Sequence, residues 1–302
     1  MSREDYPRDL VGYGREPPDP RWPDAARIAV SFVINYEEGG EHSILHGDAA
    51  SETLIAEARE AQPVVGGRDF EVESLFEYGS RAGFWRLMRL FEKRALPVTF
   101  YAVSMALERN PAAARAMVDA GHEIASHGYR WIEYYESEQQ EREDLLRSIE
   151  TQTRVAGSRP VGWYAGKLSP FTRQLLVEEG GFLYDSDAYS DDLPYWDTYA
   201  GRPHLIIPYS LETNDWQFDT PHGFSSGEAF FGHLKDSFDV LYEEGSVSPK
   251  MMSVGLHCRY SGRPAWSAAL ARFVDHVQAH GRVWVCRRAD IARHWHKHHP
   301  HR

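Results

Sequence analysis

A short apolar run near the start of the chain ends abruptly at two adjacent carboxylates. Residues 28–34 are rich in β-branched side chains, which predicts a buried β-strand. Glu37 and Glu38 stand where that strand ends, and the glycine pair at 39–40 lets the backbone turn sharply after them. The segment is therefore either a solvated turn that follows a strand or one edge of a pocket lined by two carboxylates.

Strand-like and helix-like segments alternate about seven times between residues 27 and 292, without an internal repeat or a linker. This pattern predicts an α/β fold, an irregular (β/α)7-type barrel, and a single domain over residues 1–302. Residues 1–25 are rich in proline and predict an extended arm that lies on the body or on a neighbouring subunit. Residues 294–302 predict a His-rich C-terminal tail, whose closely spaced histidines lack the fixed geometry of a metal site.

The charge balance and the cysteine content exclude several classes of partner. The formal net charge is -12, so an acidic surface would repel nucleic acid and anionic membranes, and neither is an expected partner. Two cysteines are too few for a disulfide framework or a zinc ribbon. No apolar run has the length of a signal peptide core or a membrane span, which leads us to expect a cytoplasmic protein.

Polar side chains gather at the predicted strand ends. Because the active site of a βα barrel is built at the carboxyl ends of its strands, these residues are candidates for one site. They are Glu37, Glu38, His127, Tyr164, Asp185, Asp187, Asn214, Asp215 and His257. Any one of them could be an ordinary loop or capping residue, but the set comes from every part of the chain and predicts a shared pocket.

Three short motifs resemble those of the polysaccharide deacetylase family, also called NodB-like. Tyr36-Glu37-Glu38-Gly39 resembles its aromatic-Asp-Asp-Gly motif, and His127-Gly128-Tyr129-Arg130-Trp131 resembles its His-Ser/Thr-x-x-His motif. Leu256-His257 resembles its Leu-x-His motif with the spacing shortened. The resemblance covers about residues 27–291 and implies the NodB fold. It also implies a general base at Glu37, metal ligands at Glu38 and His127, and a general acid at His257.

The departures from these motifs affect the metal site. Trp131 stands where the second metal-binding histidine belongs, and an indole nitrogen has no free lone pair. Glu38 replaces an aspartate and is one methylene longer, and no arginine occurs in residues 162–167, where the family has one. A catalytic zinc normally takes three protein ligands and a water. The motifs therefore indicate a dismantled metal centre, and we predict an enzyme without a metal or other cofactor.

The same departures, with residues 35–40, 126–131 and 162–170, resemble one branch of the family, the cofactor-independent PuuE-type allantoinases. This resemblance implies a hydrolase of cyclic amides that opens the hydantoin ring of allantoin to allantoate in purine catabolism. It makes a small molecule the expected partner, and we also expect a homo-oligomer. An alternative register places Asn35 at the base position, but Glu37 is preferred because the glycine after the carboxylates then aligns.

A reaction without a metal needs an activated water, a stabilised oxyanion and a proton for the departing nitrogen. We predict that Glu37 takes the proton from water and that His257 delivers one to the ring nitrogen. Glu38 raises the pKa of at least one carboxylate of the pair, and His127 orients groups or stabilises the oxyanion. The predicted substrate-binding residues are Asn35, Trp131, Tyr164, Lys167, Asn214, Asp215 and Trp216. Backbone N–H groups, Lys167 or Arg130 could meet the oxyanion, and the sequence does not choose among them.

Two other functions fit the sequence. One is a metal-dependent deacetylase of a small N-acetylated sugar or another amide, with His42 or His46 as the third ligand. The other is a ligand-binding barrel that has lost its chemistry. The presence of both Glu37 and His257 favours an enzyme, because a simple binder needs neither an acid nor a base.

Overall fold

The computed structural model describes residues 6, 8–54, 62–134, 136–220 and 223–301. In this part of the chain one sheet forms the centre of the fold. Its strands are β1 (Ile28–Tyr36), β2 (Thr99–Ala102), β3 (Glu123–Ser126), β4 (Gly162–Trp163), β5 (Tyr184–Asp185), β6 (Tyr195–Tyr199), β7 (Arg202–Ile206), β8 (Lys250–His257) and β9 (Val283–Val285).

The strands lie in the order β6-β7-β5-β4-β3-β2-β1-β8, and β9 pairs with the first residues of β1. Every pair is parallel except the β6–β7 hairpin. The helices are α1 (Phe70–Tyr78), α2 (Phe84–Glu92), α3 (Ser104–Arg109), α4 (Pro111–Asp119), α5 (Glu138–Ala156), α6 (Thr172–Glu179), α7 (Gly227–Glu244), α8 (Pro264–Gln278) and α9 (Arg288–His298). The sheet is a half-barrel, so the predicted irregular barrel is confirmed.

Strand β1 is the centre of the core. All nine of its residues are buried, and Phe32 packs against rings from α2 and α8, Phe91 and Phe273. Strand β8 pairs with β1 from Ile28 to Asn35, while β9 and β2 share its other edge. Asn35 is in register with His257, so the ends of β1 and β8 bring residues 222 positions apart to one edge of the sheet.

Several helix boundaries follow the local signals in the sequence. Asn110-Pro111 predicts a capped helix start, and the Asn110 side chain accepts a hydrogen bond from the Ala113 N–H at the start of α4, with Pro111 in the first helical position. Ser137 and Ser226 cap α5 and α7 in the same way. These caps satisfy N–H groups that have no partner within a helix.

The first helix begins earlier than the sequence indicated. The polar, irregular sequence of residues 41–72 predicts a long excursion over the strand end, but α1 begins at Phe70 and continues through a π-helical turn at 79–83 into α2. Glycines in that turn allow the helix to pass close to the sheet edge, because a Cβ at Gly79 would overlap the Glu38 carboxylate and one at Gly83 would overlap the Cys258 backbone. Residues 55–61 of the predicted excursion lie outside the described residues.

The described part of the predicted N-terminal arm lies on the body. Trp22 is buried, and its ring lies 5.6 Å from Trp284 and 6.0 Å from Trp295. The predicted C-terminal tail begins inside α9, which ends at His298, because the buried Trp295 holds the helix against the arm. Residues 1–5, 7 and 302 of these two segments lie outside the described residues. Within the described part of the chain, no helix combines the length and apolar character that a membrane crossing needs.

Candidate active site

Glu37 follows the last residue of β1 and has three cationic or potentially cationic neighbours. Its side chain is buried, and Oε1 lies 3.2 Å from Nε2 of His127 and 3.7 Å from Nε2 of His257. Nη2 of Arg259 donates a hydrogen bond to the other oxygen, Oε2, at 3.1 Å. Both carboxylate oxygens are therefore engaged at the carboxyl edge of the sheet.

The hydrogen bonds of His127 determine which of its nitrogens carries a proton. Nδ1 lies 2.6 Å from the backbone oxygen of Tyr164, which only accepts, so Nδ1 must carry a hydrogen. Nε2 then faces Glu37 Oε1, a second acceptor, and this contact is a hydrogen bond only when a proton lies between the two atoms. In this hydrogen bond His127 is the donor and Glu37 the acceptor.

His257, the last residue of β8, is oriented by a buried carboxylate. Its Nδ1 donates to Oδ1 of Asp215 at 2.7 Å, so Nε2 is the nitrogen that faces Glu37. Oδ2 of Asp215 accepts hydrogen bonds from the N–H groups of His257 and Ser261, which fixes the carboxylate in turn. Burial lowers the pKa of His257, but Glu37 and Asp215 outweigh burial and raise it above its usual value. The arrangement favours a protonated imidazole that can act as an acid.

Arg259 joins the two adjacent glutamates. It is fully buried, its Nη1 lies 3.3 Å from Oε1 of Glu38, and its guanidinium lies 4.0 Å from the centre of the Phe76 ring. Both glutamates face the site because the chain turns at once, with Gly39 at φ +101° and the Gly40 N–H bonded to the Glu37 oxygen. One guanidinium therefore balances part of the charge of two buried carboxylates.

The environment moves the pKa values of the two glutamates in opposite directions. Burial raises the pKa of Glu37, but His257, the hydrogen bond from His127 and Arg259 together hold it far below its usual range. Burial also raises the pKa of Glu38, Arg259 opposes this, and the neighbouring Glu37 raises it further, to about 7. The sequence predicted that the pair would raise at least one pKa, and the geometry assigns the increase to Glu38.

Glu38→Gln is expected to remove a pH-dependent loss of stability. The pKa of Glu38 in the folded protein, about 7, lies above its ordinary value of 4.5, so between these values the folded state holds a proton that the unfolded chain has released. Stability therefore falls as the pH rises through this window, by about 3 kcal/mol at about 1.4 kcal/mol for each pKa unit. Urea unfolding at pH 5 and pH 7.5 measures this loss in both proteins, and an equal loss in Glu38→Gln would contradict the assignment.

The two asparagines predicted to bind substrate contact the hydroxyl of the same tyrosine. Nδ2 of Asn35 lies 3.3 Å from the Tyr209 hydroxyl and 3.2 Å from the Leu256 backbone oxygen. Nδ2 of Asn214 lies 3.4 Å from the same hydroxyl, and its Oδ1 caps the short helix that begins at Asp215. These amides lie beside the site and are held in place by bonds within the protein.

Tyr164, Trp131 and Lys167 form a wall near His127. The Tyr164 ring stacks on His127 at 5.3 Å, and its hydroxyl bonds to that of Tyr189. Trp131 is almost fully buried, and Nζ of Lys167 lies 4.0 Å above its ring. Trp216 is the residue after Asp215, and its buried indole N–H has no hydrogen-bond partner among the residues that the structure describes.

The cation beside the carboxylates is one that the sequence did not indicate. Arg130, one candidate, forms two bonds to Asp48, and Lys167 lies on Trp131. Arg259 occupies this position instead, two residues beyond the His257 motif. The one signal in the sequence was indirect: a buried pair of glutamates requires a nearby cation, and a loop residue at the same sheet edge can supply it.

Other strand-end residues have separate structural partners. Asp185 pairs with Nε2 of His204 at 2.9 Å and with Arg173 at 3.4 Å. Asp187 accepts hydrogen bonds from the N–H groups of Ala165 and Gly166. These carboxylates therefore support the loops after β4 and β5.

Two clefts reach the site from different sides. One is lined by Glu38 and Phe76 together with the charged residues Glu41 and Arg68. The other, a narrow one, is lined by His127, Trp163 and Lys167. Glu37 is buried and lines neither cleft, but its neighbours Glu38 and His127 each line one of them.

A half-barrel with buried carboxylates, imidazoles and a guanidinium at its carboxyl edge defines a hydrolase of the deacetylase class. The chain belongs to the polysaccharide deacetylase family. Residues 66–176 match the family profile for polysaccharide deacetylases. A Schizosaccharomyces pombe protein assigned to the polysaccharide deacetylases is 42% identical, with 98% of each chain covered.

Two solved structures are similar over almost the whole chain. A probable polysaccharide deacetylase from Pseudomonas aeruginosa PAO1 is 60% identical, covers 98% of this chain and 100% of its own, and has a TM-score of 0.96. The crystal structure of PuuE allantoinase is 58% identical, covers 99% of this chain and 100% of its own, and has a TM-score of 0.97. The predicted resemblance to this family and to PuuE allantoinase is confirmed.

The residues at the family's metal position do not fit a metal. Trp131 supplies no lone pair and its ring is covered by the Lys167 ammonium, while Glu38 is bonded to the Arg259 cation. The alternative ligands are held elsewhere, because His46 bonds to the Glu41 backbone and contacts Arg109. His42 lies 3.7 Å from Asp48. Among the described residues, three potential ligands converge only in the outer helix layer and not at this site.

Proposed function

We propose that this protein hydrolyses the hydantoin ring amide of allantoin to give allantoate. One observation carries the proposal: Oε1 of Glu37 lies between two imidazoles, of which His257 is held by Asp215. This arrangement supplies a base and an acid at one point, which the hydrolysis of an amide requires. The 58% identity to PuuE allantoinase over 99% of this chain supports the choice of substrate.

In the proposed reaction Glu37 accepts a proton from water while the water oxygen bonds to the ring carbonyl carbon. The carbon–nitrogen bond then breaks, and His257 donates its Nε2 proton to the departing nitrogen. That nitrogen belongs to a urea group, so its negative charge is delocalised and it leaves more readily than an alkyl amine. Arg259 and the Nε2–H of His127 supply hydrogen-bond donors near the oxyanion.

Asp215→Asn is expected to move the alkaline limb of the kcat profile to lower pH. The negative charge of Asp215 is one of the two effects that raise the pKa of His257, so its loss makes the imidazole release its proton earlier. The acid is then lost at a lower pH and turnover falls first on the alkaline side. Measurement of kcat against pH for both proteins tests this, and an unmoved alkaline limb would remove His257 from the acid role.

The test of the proposed function is allantoin turnover by protein stripped with a strong chelator, with its metal content measured in parallel and allantoate followed as product. Turnover retained at negligible metal supports a cyclic amidase that works through its own side chains. Turnover lost on stripping and restored by Zn²⁺ would instead support the metal-dependent deacetylase, to which the names of the relatives point. Absence of turnover under both conditions would rule out allantoin. The homo-oligomer and the cytoplasmic location stay predictions.

A further inference from the structure

Three potential metal ligands face one another on the outer helix layer, away from the candidate active site. Asp239 comes from α7, His276 from the last turn of α8, and His280 from just beyond the end of α8. One ligand atom from each lies within 4.8 Å of the others. None of these residues contacts Glu37, Glu38 or Arg259 through a bond described above, so the group is independent of the proposed hydrolysis.

The hydrogen bonds of the group leave one ring nitrogen of His280 with a free lone pair. Nδ1 of His280 lies 2.8 Å from the backbone oxygen of His276, so it carries the hydrogen and Nε2 of the neutral ring has the free lone pair. Metal-binding histidines usually donate their other N–H to a carbonyl or carboxylate in this way. Nε2 of His276 lies 2.7 Å from Oδ1 of Asp239, where the proton between them can be replaced by a cation.

The surroundings hold the rings in place and leave the group accessible. The buried Phe238 ring packs edge-on against both imidazoles, with centroids 5.6 Å from His276 and 5.1 Å from His280. The side chains of His276 and Asp239 are 20% and 36% exposed, so a hydrated ion can reach them. Lys235 pairs with Oδ2 of Asp239 at 2.5 Å and leaves Oδ1 to face His276.

We propose that Asp239, His276 and His280 form a binding site for a borderline divalent cation, best suited to Zn²⁺. Two imidazoles and one carboxylate are a zinc donor set, and a water would complete the tetrahedron. Ligand atoms around tetrahedral zinc lie about 3.3 Å apart for bonds of about 2.0–2.1 Å, so the 2.7 Å contact must open by about 0.6 Å and any wider separation, up to 4.8 Å, must close. Such an ion would cross-link α7 and α8, which pack together beside β8.

The test uses chelator-stripped full-length protein titrated with Co²⁺, followed by its visible absorption, and with Zn²⁺ followed by calorimetry. We expect one bound ion for each chain, a raised thermal midpoint with saturating Zn²⁺, and at least tenfold weaker binding in His280→Gln. Asp239→Asn serves as a second variant, since it removes a different ligand and leaves both imidazoles in place.

The matched control addresses the histidines near the C-terminus. The double variant His298→Gln, His301→Gln removes side chains that could also bind Co²⁺, and we expect it to keep the binding of the unmodified protein. Loss of binding in this control, with retention in His280→Gln and Asp239→Asn, would overturn the proposal. The absence of any bound ion in the unmodified protein at millimolar metal would also overturn it. Each variant is first checked for an unchanged circular dichroism spectrum.

Discussion

Glu37→Gln is expected to lower kcat for allantoin by about 10²–10⁴-fold, the usual contribution of a positioned general base. The change removes a charge and keeps the size of the side chain, so packing around it is preserved. An amide cannot accept a proton from water, and its neutral oxygen accepts a weaker hydrogen bond from His127 than a carboxylate does. The measurement is single-turnover and steady-state formation of allantoate by both proteins.

The low pKa of Glu37 determines how its contribution to turnover depends on pH. His257, His127 and Arg259 keep the carboxylate ionised throughout the neutral range, so the base is always present but weak. It takes the proton as the water oxygen bonds to carbon, when that proton becomes more acidic. Glu37 should therefore add no acid limb near neutral pH, and a limb near pH 7 would belong to Glu38.

Two comparisons make the Glu37 result decisive. Glu228→Gln changes an exposed glutamate that pairs with Arg272 and lines neither cleft, and we expect it to keep its turnover. Calorimetry with allantoin separates binding from chemistry, because Glu37→Gln should still bind. Unchanged turnover in Glu37→Gln would remove this residue from the mechanism. Binding without turnover in the unmodified protein would favour the ligand-binding barrel.

The elements that could be predicted from the sequence have local signals. Strand β1 is a continuous apolar run, α4 begins at an Asn-Pro cap, and α7 carries a regular apolar face. The β6–β7 hairpin and α9 lack such signals. The hairpin is partly exposed, and only the pairing of its two strands defines it. The sequence of α9 predicts a polar, His-rich tail, and the burial of Trp295, which makes it a packed helix, is visible only in the structure.

The residues of the site likewise include some that could be predicted from the sequence and some that could not. Glu37, His127 and His257 could be brought together from the sequence because the carboxyl ends of parallel strands share one edge of a sheet. The residues that bond to these three side chains could not be predicted, because their positions depend on which loop folds over this edge of the sheet. Asp215, predicted to bind substrate, lies 42 positions from His257 and bonds to its Nδ1. Arg259 lies 222 positions from Glu37, and composition does not distinguish it from the chain's other cations.

Arg259→Met is expected to lower the free energy of unfolding by about 3–5 kcal/mol, the usual loss when one partner of a buried ion pair is removed. The variant leaves Glu37 and Glu38 adjacent and buried without the guanidinium that bonds to both. Arg259 lowers the pKa of each carboxylate, so both pKa values should rise in the variant. Urea unfolding at neutral pH measures the loss of stability.

Turnover should fall together with stability, because the guanidinium that bonds to Oε2 and orients the Glu37 carboxylate is gone. Higher pH should not restore turnover, since His257 and the hydrogen bond from His127 continue to lower the pKa of Glu37. Arg259→Lys keeps the positive charge, so we expect stability close to that of the unmodified protein. An ammonium cannot bond to both carboxylates with a planar fork, so we expect turnover reduced at least tenfold. Arg94→Met, which removes a surface bridge to Asp275, is the matched control and should cost about 1 kcal/mol or less.

A double variant tests whether Arg259 acts on the carboxylates or only fills space. If the loss in Arg259→Met comes from uncompensated charge, Glu38→Gln should raise the free energy of unfolding at pH 7.5 by more in this variant than in the unmodified protein. If the loss comes from the missing volume beside Phe76, Glu38→Gln should raise it by the same amount in both proteins. A larger gain in Arg259→Met at pH 7.5, which shrinks at pH 5, where Glu38 is already protonated, would identify charge as the cause.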